Sequence, residues 1–157
     1  MGNIFSGSEV IELGIEIEKN GRDFYRVLAT SSKNESSRSV FSKLSGEEEK
    51  HIKVFQKLLE KSGGEDSGQP YSEEYNAYMQ TLVSETVFTQ KDKGRNIASG
   101  VGSEKEALDL GIGFEKDSIL FYQGIKKAVP QYDLKIIDEL ILEEEHHLGL
   151  LWELKNK

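Results

Sequence analysis

Four long segments of the chain carry apolar residues at i, i+3, i+4 and i+7, the spacing of helices with one buried face. The first runs from about Ser8 to Ala29, with Ser6-x-x-Glu9 as a capping box ahead of it. The second covers about Ser37 to Lys61 and is stopped by Gly63-Gly64. A third begins near Ser103, where Ser103-x-x-Glu106 forms another capping box, and ends before Pro130. The fourth covers about Tyr132 to Leu154. Short links join the first to the second and the third to the fourth, so each pair should fold as an antiparallel hairpin.

The chain between the two pairs, about Ser62 to Gly102, is longer than a turn requires. A helix of about 25 residues is roughly 37 Å long, a distance that extended chain covers in about 11 residues. The surplus predicts structure of its own. Tyr75, Tyr78, Met79, Leu82 and Val83 have helical spacing after Ser72, which places a shorter fifth helix over about Ser72 to Thr86. The polar, Gly-rich stretch from Thr89 to Gly102 reads as a mobile loop. The expected architecture is all-α and a single domain over residues 1–157. It is a ferritin-like four-helix bundle of two antiparallel pairs joined by a long crossover containing a short extra helix.

The two hairpins are copies of each other. Laying Glu12–Tyr25 over Asp109–Tyr122 gives seven identities in fourteen positions without a gap, among them Glu18/Glu115, Phe24/Phe121 and Tyr25/Tyr122. Laying Glu47–His51 over Glu143–His147 pairs Glu48 with Glu144 and His51 with His147 at nearly the same offset. A two-helix unit therefore occurs twice.

Helical phase decides which polar residues turn inward. On the second helix Phe41, Leu44, Glu48, His51, Phe55 and Leu58 share one stripe, so Glu48 and His51 interrupt an apolar seam, while Glu49, Lys53 and Gln56 face water. On the fourth, Ile137, Ile141, Glu144, Leu148 and Leu151 form the stripe and His147 lies beside it. Glu139, Glu143, His146 and Glu153 fall on another, mainly charged face. The first helix sends Glu18 inward with Ile11, Ile15, Tyr25 and Leu28; the third sends Glu115 inward with Leu108, Ile112, Tyr122 and Ile125. Tyr25 and Tyr122, two turns beyond those glutamates, either hydrogen-bond the inward carboxylates or are ordinary core residues. Gly14, Gly111, Gly21 and Ser118 keep the surroundings small, for close packing or to leave room at a site.

Glu18, Glu48, His51, Glu115, Glu144 and His147 thus converge in the interior. A buried ion loses several kcal/mol even after relaxation, so four carboxylates left ionised and unpaired in a core need neutralising. Two divalent cations match them in charge, and neutral imidazoles add ligands without disturbing the balance. A Glu from each of two helices and a Glu-x-x-His from each of the other two is the ligand pattern of di-iron carboxylate bundles. Solvated charges on a purely structural bundle are the alternative for a lone Glu-x-x-His, but the duplication weighs against it. His146 reads as exposed.

Composition narrows the chemistry further. A net charge of −8 over 157 residues disfavours nucleic acid, which is bound through clustered Lys and Arg. With no cysteine, any metal is held by oxygen and nitrogen. No apolar run approaches the roughly 20 residues that span a bilayer, so no membrane partner is expected and a cytoplasmic location is. Met1-Gly2-Asn3-Ile4-Phe5-Ser6 fits the loose myristoylation pattern, but no basic patch follows, and it reads as a chance match before a helix cap.

Through Glu18…Tyr25, Glu48-x-x-His51, Glu115…Tyr122 and Glu144-x-x-His147, nearly the whole chain resembles the rubrerythrin group of the ferritin-like superfamily, in its form without a rubredoxin domain. The resemblance implies two iron ions, for which Mn or Zn can substitute, reacting with hydrogen peroxide or dioxygen in oxidative-stress defence. It also implies a separate electron donor such as a rubredoxin, because the chain lacks the paired Cys-x-x-Cys of a built-in one. Relatives of this kind tend to carry an extra glutamate one turn after the third-helix ligand, where Ser118 stands here. That departure gives weight to a ferroxidase or iron-handling role. Ferritin-like bundles often pair, and the aromatic crossover from Tyr71 to Phe88 is the candidate surface for a homodimer or higher homo-oligomer.

Overall fold

A computed structural model describes residues 6–62 and 72–157, except the side chain of Ser62. Gly63-Gly64, Tyr71 and the Met1–Phe5 part of the myristoylation match lie outside the described residues. Among the described residues there is no strand. The helices are α1 (Gly7–Ser31), α2 (Glu35–Ser62), α3 (Glu73–Glu85), α4 (Lys93–Ser99), α5 (Glu104–Ile125) and α6 (Leu134–Lys155). No helix among these residues is long and apolar enough to cross a membrane.

The helix starts follow the capping chemistry in the sequence. Ser6, Ser72 and Ser103 each accept a hydrogen bond from the backbone N–H three residues on, at Glu9, Tyr75 and Glu106, all at 3.1 Å. At α5 the Glu106 carboxylate reaches back to the Gly102 N–H (2.9 Å) rather than to the cap residue itself. α1 packs on α2 and α5 on α6, and the pairs meet through α1–α5 and α2–α6. Tyr25, Phe24, Phe41, Phe55, Phe121 and Tyr122 are fully buried and close the interior above and below its polar middle.

The crossover differs from expectation after α3. The stretch 89–102 was predicted as a mobile loop; instead a single 3-10 turn at Val87–Thr89 leads into α4, which lies on α1. Its anchor is the buried Asn20 of α1. The Asn20 amide nitrogen donates to the carbonyls of Phe88 (2.6 Å) and Gln90 (2.8 Å), and its oxygen accepts from the Gly94 N–H (2.9 Å). Gly94 sits so close that a Cβ there would stand 1.9 Å from the Asn20 carbonyl oxygen. Asp92, just before α4, holds the left-handed conformation at φ 61. Polar, Gly-rich composition here encodes backbone docking onto a helix, which hydrophobic periodicity does not report.

Candidate metal centre

The inward stripes of α1, α2, α5 and α6 bring all six predicted residues together. Glu18, Glu48, Glu115 and Glu144 are fully buried, and His51 and His147 nearly so. They form two groups of potential ligand atoms, each within 4.8 Å: Glu18, Glu48, His51 and Glu144, and Glu48, Glu115, Glu144 and His147. Glu48 and Glu144 belong to both. The oxygens of each divide between the groups. His51 Nδ1 lies 2.7 Å from Glu144 Oε1 and 3.4 Å from both Glu18 Oε2 and Glu48 Oε2. His147 Nδ1 lies 3.3 Å from Glu48 Oε1, 3.4 Å from Glu144 Oε2 and 3.6 Å from Glu115 Oε1. The imidazoles stack at 5.5 Å between centroids. The Glu-x-x-His carboxylates are therefore placed to bridge two positions, with one further glutamate and one histidine at each.

Buried polar atoms ordinarily find hydrogen-bond partners. Here Glu18 Oε2, Glu115 Oε2, both oxygens of Glu48 and Glu144, and Nδ1 of both histidines have none. These inward atoms are the ones a metal would take, while Glu18 Oε1, Glu115 Oε1 and Nε2 of both histidines are satisfied by protein. All are hard oxygen or borderline imidazole donors, which suits first-row divalent metals. The residues present fit a metal centre.

The electrostatics agree. Burial and the charge of Glu18 push Glu48 up to about 8. Burial and the Glu144 charge lift Glu115 well above its ordinary value, and burial with the charges of Glu48 and Glu18 raises Glu144. Glu18 goes the other way: burial raises it, but the neighbouring Glu48 carboxyl group, which keeps its own proton, and the His51 charge outweigh that and lower it. Burial opposes protonation of His51 and His147, yet the surrounding carboxylates win and raise both. Without cations the centre retains protons to limit repulsion among its acids.

Tyr25 on α1 donates to Glu115 Oε1 on α5 (2.5 Å), and Tyr122 on α5 donates back to Glu18 on α1. Of the two roles open to these tyrosines, the structure selects carboxylate partners. Burial and the neighbouring carboxylates hold both phenols well above their usual range, so they remain donors. Gly14 packs against the Phe55 ring and Gly111 against Leu151. At Gly21 a Cβ would meet Phe114 at 2.5 Å and the Glu48 carboxyl carbon at 3.5 Å. Its counterpart Ser118 is buried and turns its hydroxyl back onto the Phe114 carbonyl (3.0 Å).

Two participants were missed. Glu143, placed by phase on a charged outer face, bonds His51 Nε2, and Glu47 bonds His147 Nε2 at 2.6 Å. With a metal bound, such bonds would keep the proton on Nε2 and leave Nδ1 to act as the ligand atom. The signal was present in the duplication, which pairs Glu47 with Glu143, each four residues before a ligand-type histidine. The partnership is crossed between α2 and α6, so spacing along one helix concealed it. His146 is exposed, as predicted.

The family model described as Rubrerythrin matches residues 9–155. The chain belongs to the rubrerythrin family. A search of curated proteins found no match. Among solved structures, this rubrerythrin-family chain is similar to a Thermotoga maritima protein described as a ferritin-like diiron-carboxylate protein. The identity is 25%, the TM-score is 0.69, and the match covers 100% of this chain and 99% of that one. Family, fold and the buried Glu/His cluster together support a di-iron type of protein, and the chain has no cysteine with which to form a rubredoxin-type iron site.

Proposed function

We propose that the protein is a cytoplasmic non-haem di-iron oxidoreductase that reduces hydrogen peroxide or dioxygen with electrons from a separate donor. The observation that carries this reading is the paired set of orphaned inward atoms, shared through Glu48 and Glu144. Glu18 and His51 would hold one iron, Glu115 and His147 the other, and Glu48 and Glu144 both. When bound, the irons supply two electrons to an O–O bond. The chain supplies the rest. Tyr25 and Tyr122 hold the Glu115 and Glu18 carboxylates in place and keep their own protons. Glu47 and Glu143 orient the imidazoles. The buried aromatic rings exclude bulk water from the centre.

Adding peroxide to the anaerobic, ferrous-loaded protein tests the proposal. Fast, stoichiometric oxidation of the bound iron is expected, and iron that stays ferrous overturns the reading. One observation favours a second reading, ferroxidase or iron handling: Ser118 is tied to the Phe114 carbonyl and offers no further carboxylate. That reading predicts many ferric ions retained per chain after aerobic loading rather than a pair.

A further inference from the structure

The crossover closes a recess of about 190 Å³ over α1 and α5. Val87 and Leu110 form its exposed rim, and Phe24, Phe88 and Phe114, all buried, form its floor. Ile97 of α4 adds one wall. Phe88 packs against Phe114 at 4.4 Å between centroids and is held there through its carbonyl by Asn20. Three polar residues also line the recess. Thr86 is buried with its backbone N–H and carbonyl bonded locally, Asp109 is held by Lys105 at 3.0 Å and by Lys155 at 2.6 Å, and Asp117 is exposed. The deep surface is therefore mostly aromatic carbon. Phe114 separates it from the centre. A Cβ at Gly21 would stand 2.5 Å from the tip of the Phe114 ring and 3.5 Å from the Glu48 carboxyl carbon, so ring and shared carboxylate lie within about 6 Å of each other. The ring also meets Tyr25, the partner of Glu115, at 6.0 Å between centroids. One aromatic side chain thus borders both the recess and the ligand carboxylates.

We propose that this recess receives dioxygen and that the Phe114 ring is the gate through which the gas reaches the centre. The inference rests on the redox reading above and narrows it to the apolar oxidant. Dioxygen gives up no strong hydrogen bonds on leaving water, whereas hydrogen peroxide would surrender its own to a floor of three phenylalanine rings that return none. Apolar cavities of about 150 Å³ stay dry and bind xenon, so an aromatic recess of this size suits a small gas better than a polar solute. The missing side chain at Gly21 leaves the ring tip facing the Glu48 carboxylate without a barrier of its own, and displacement of that one ring joins the two spaces.

Gly113 supplies the test, because it lines the recess and a Cβ there would have no heavy atom within 4 Å. Gly113→Leu therefore fills space without striking the helix packing. Crystals of the metal-free, full-length protein under xenon pressure should hold xenon in the recess, and those of Gly113→Leu should not. In stopped-flow oxidation of the ferrous-loaded protein, Gly113→Leu should slow the reaction with dioxygen about 10-fold and that with peroxide less than twofold, while Phe114→Leu, with a shorter gate, should speed the dioxygen reaction about threefold. Gly149→Leu, at an equally open position on α6, should alter neither rate. Absence of xenon from the parent, a dioxygen rate unchanged in Gly113→Leu or not raised in Phe114→Leu, or equal slowing of both oxidants would overturn the proposal. Bound iron that resists both oxidants in the parent would instead overturn the redox reading, and xenon uptake needs no iron, so the two readings fail separately.

Discussion

Tyr25 of the first repeat donates its hydroxyl proton to Glu115 of the second at 2.5 Å, and Tyr122 makes the mirrored bond to Glu18. The tyrosines thus tie α1 to α5 across the centre while holding one oxygen of each non-bridging glutamate. Tyr25→Phe keeps the ring, which stacks on Phe41 at 6.1 Å, and removes only the donor. Loss of a partner to a ligand typically lowers metal affinity by about 10–100-fold. Competition with a metal chelator should show that loss in Tyr25→Phe and in Tyr122→Phe, with the helical circular dichroism spectrum unchanged.

Glu143→Gln and Glu47→Gln test the crossed imidazole contacts. A glutamine can still meet His51 or His147 but no longer fixes Nε2 as the protonated nitrogen. Metal affinity should therefore fall by about 10-fold in each variant, read by competition with a chelator. A variant with unchanged affinity would remove that glutamate from the site.

The inward stripes were legible because a helix exposes its phase in sequence: Glu48 and His51 lie among Phe41, Leu44, Phe55 and Leu58, and repetition at Glu144 and His147 turned a weak motif into a strong one. What crosses between helices was not legible. Glu143 looks solvent-facing because half of it is, and only tertiary contact shows the other end on His51. α4 stayed hidden for a related reason. Its attachment runs through one asparagine and a glycine backbone, with too few apolar residues to produce a periodic signal.

Asn20→Leu strips the crossover of its anchor. Two carbonyls and one N–H lose their partner, and an unsatisfied buried group costs about 1–3 kcal/mol. Gly94→Ala attacks the same contact from the other side, since its methyl would strike the α1 backbone. Hydrogen exchange should accelerate over 87–99 in both variants, far more than in α2 and α6, and urea midpoints should fall.

Stability of the metal-free protein should decrease as pH rises from about 5 to 8. Glu48 holds its proton up to about 8 in the fold, whereas an unfolded glutamate releases it near its ordinary value of 4.5. A folded-state value raised in this way gives stability that is complete below the unfolded value and disappears as pH climbs through the folded one. His51 and His147, also raised, add the same sign above 6.5. Glu18, lowered, contributes oppositely, but only below 4.5. Ferrous or zinc ions displace these protons, so the metal-induced rise in Tm should be larger at pH 8 than at pH 5.5. Thermal melts across that range, with and without metal, measure both trends.

Glu48→Gln separates the cost of the centre from its use. Glutamine has nearly the shape of the protonated acid but cannot ionise, so it fits the metal-free fold at every pH. The slope that Glu48 contributes, up to about 1.4 kcal/mol per pH unit for one retained proton, should vanish, leaving the variant more stable than the parent at pH 8 without metal. The same change removes a carboxylate shared by both ligand groups. Metal should then raise Tm far less than in the parent, and a chelator should strip it more readily. Higher metal-free stability together with lost metal response is the expected pair of results. A variant that is destabilised at pH 8 without metal, yet still gains the parent's full Tm increment on loading, would show that Glu48 is a structural acid rather than a ligand.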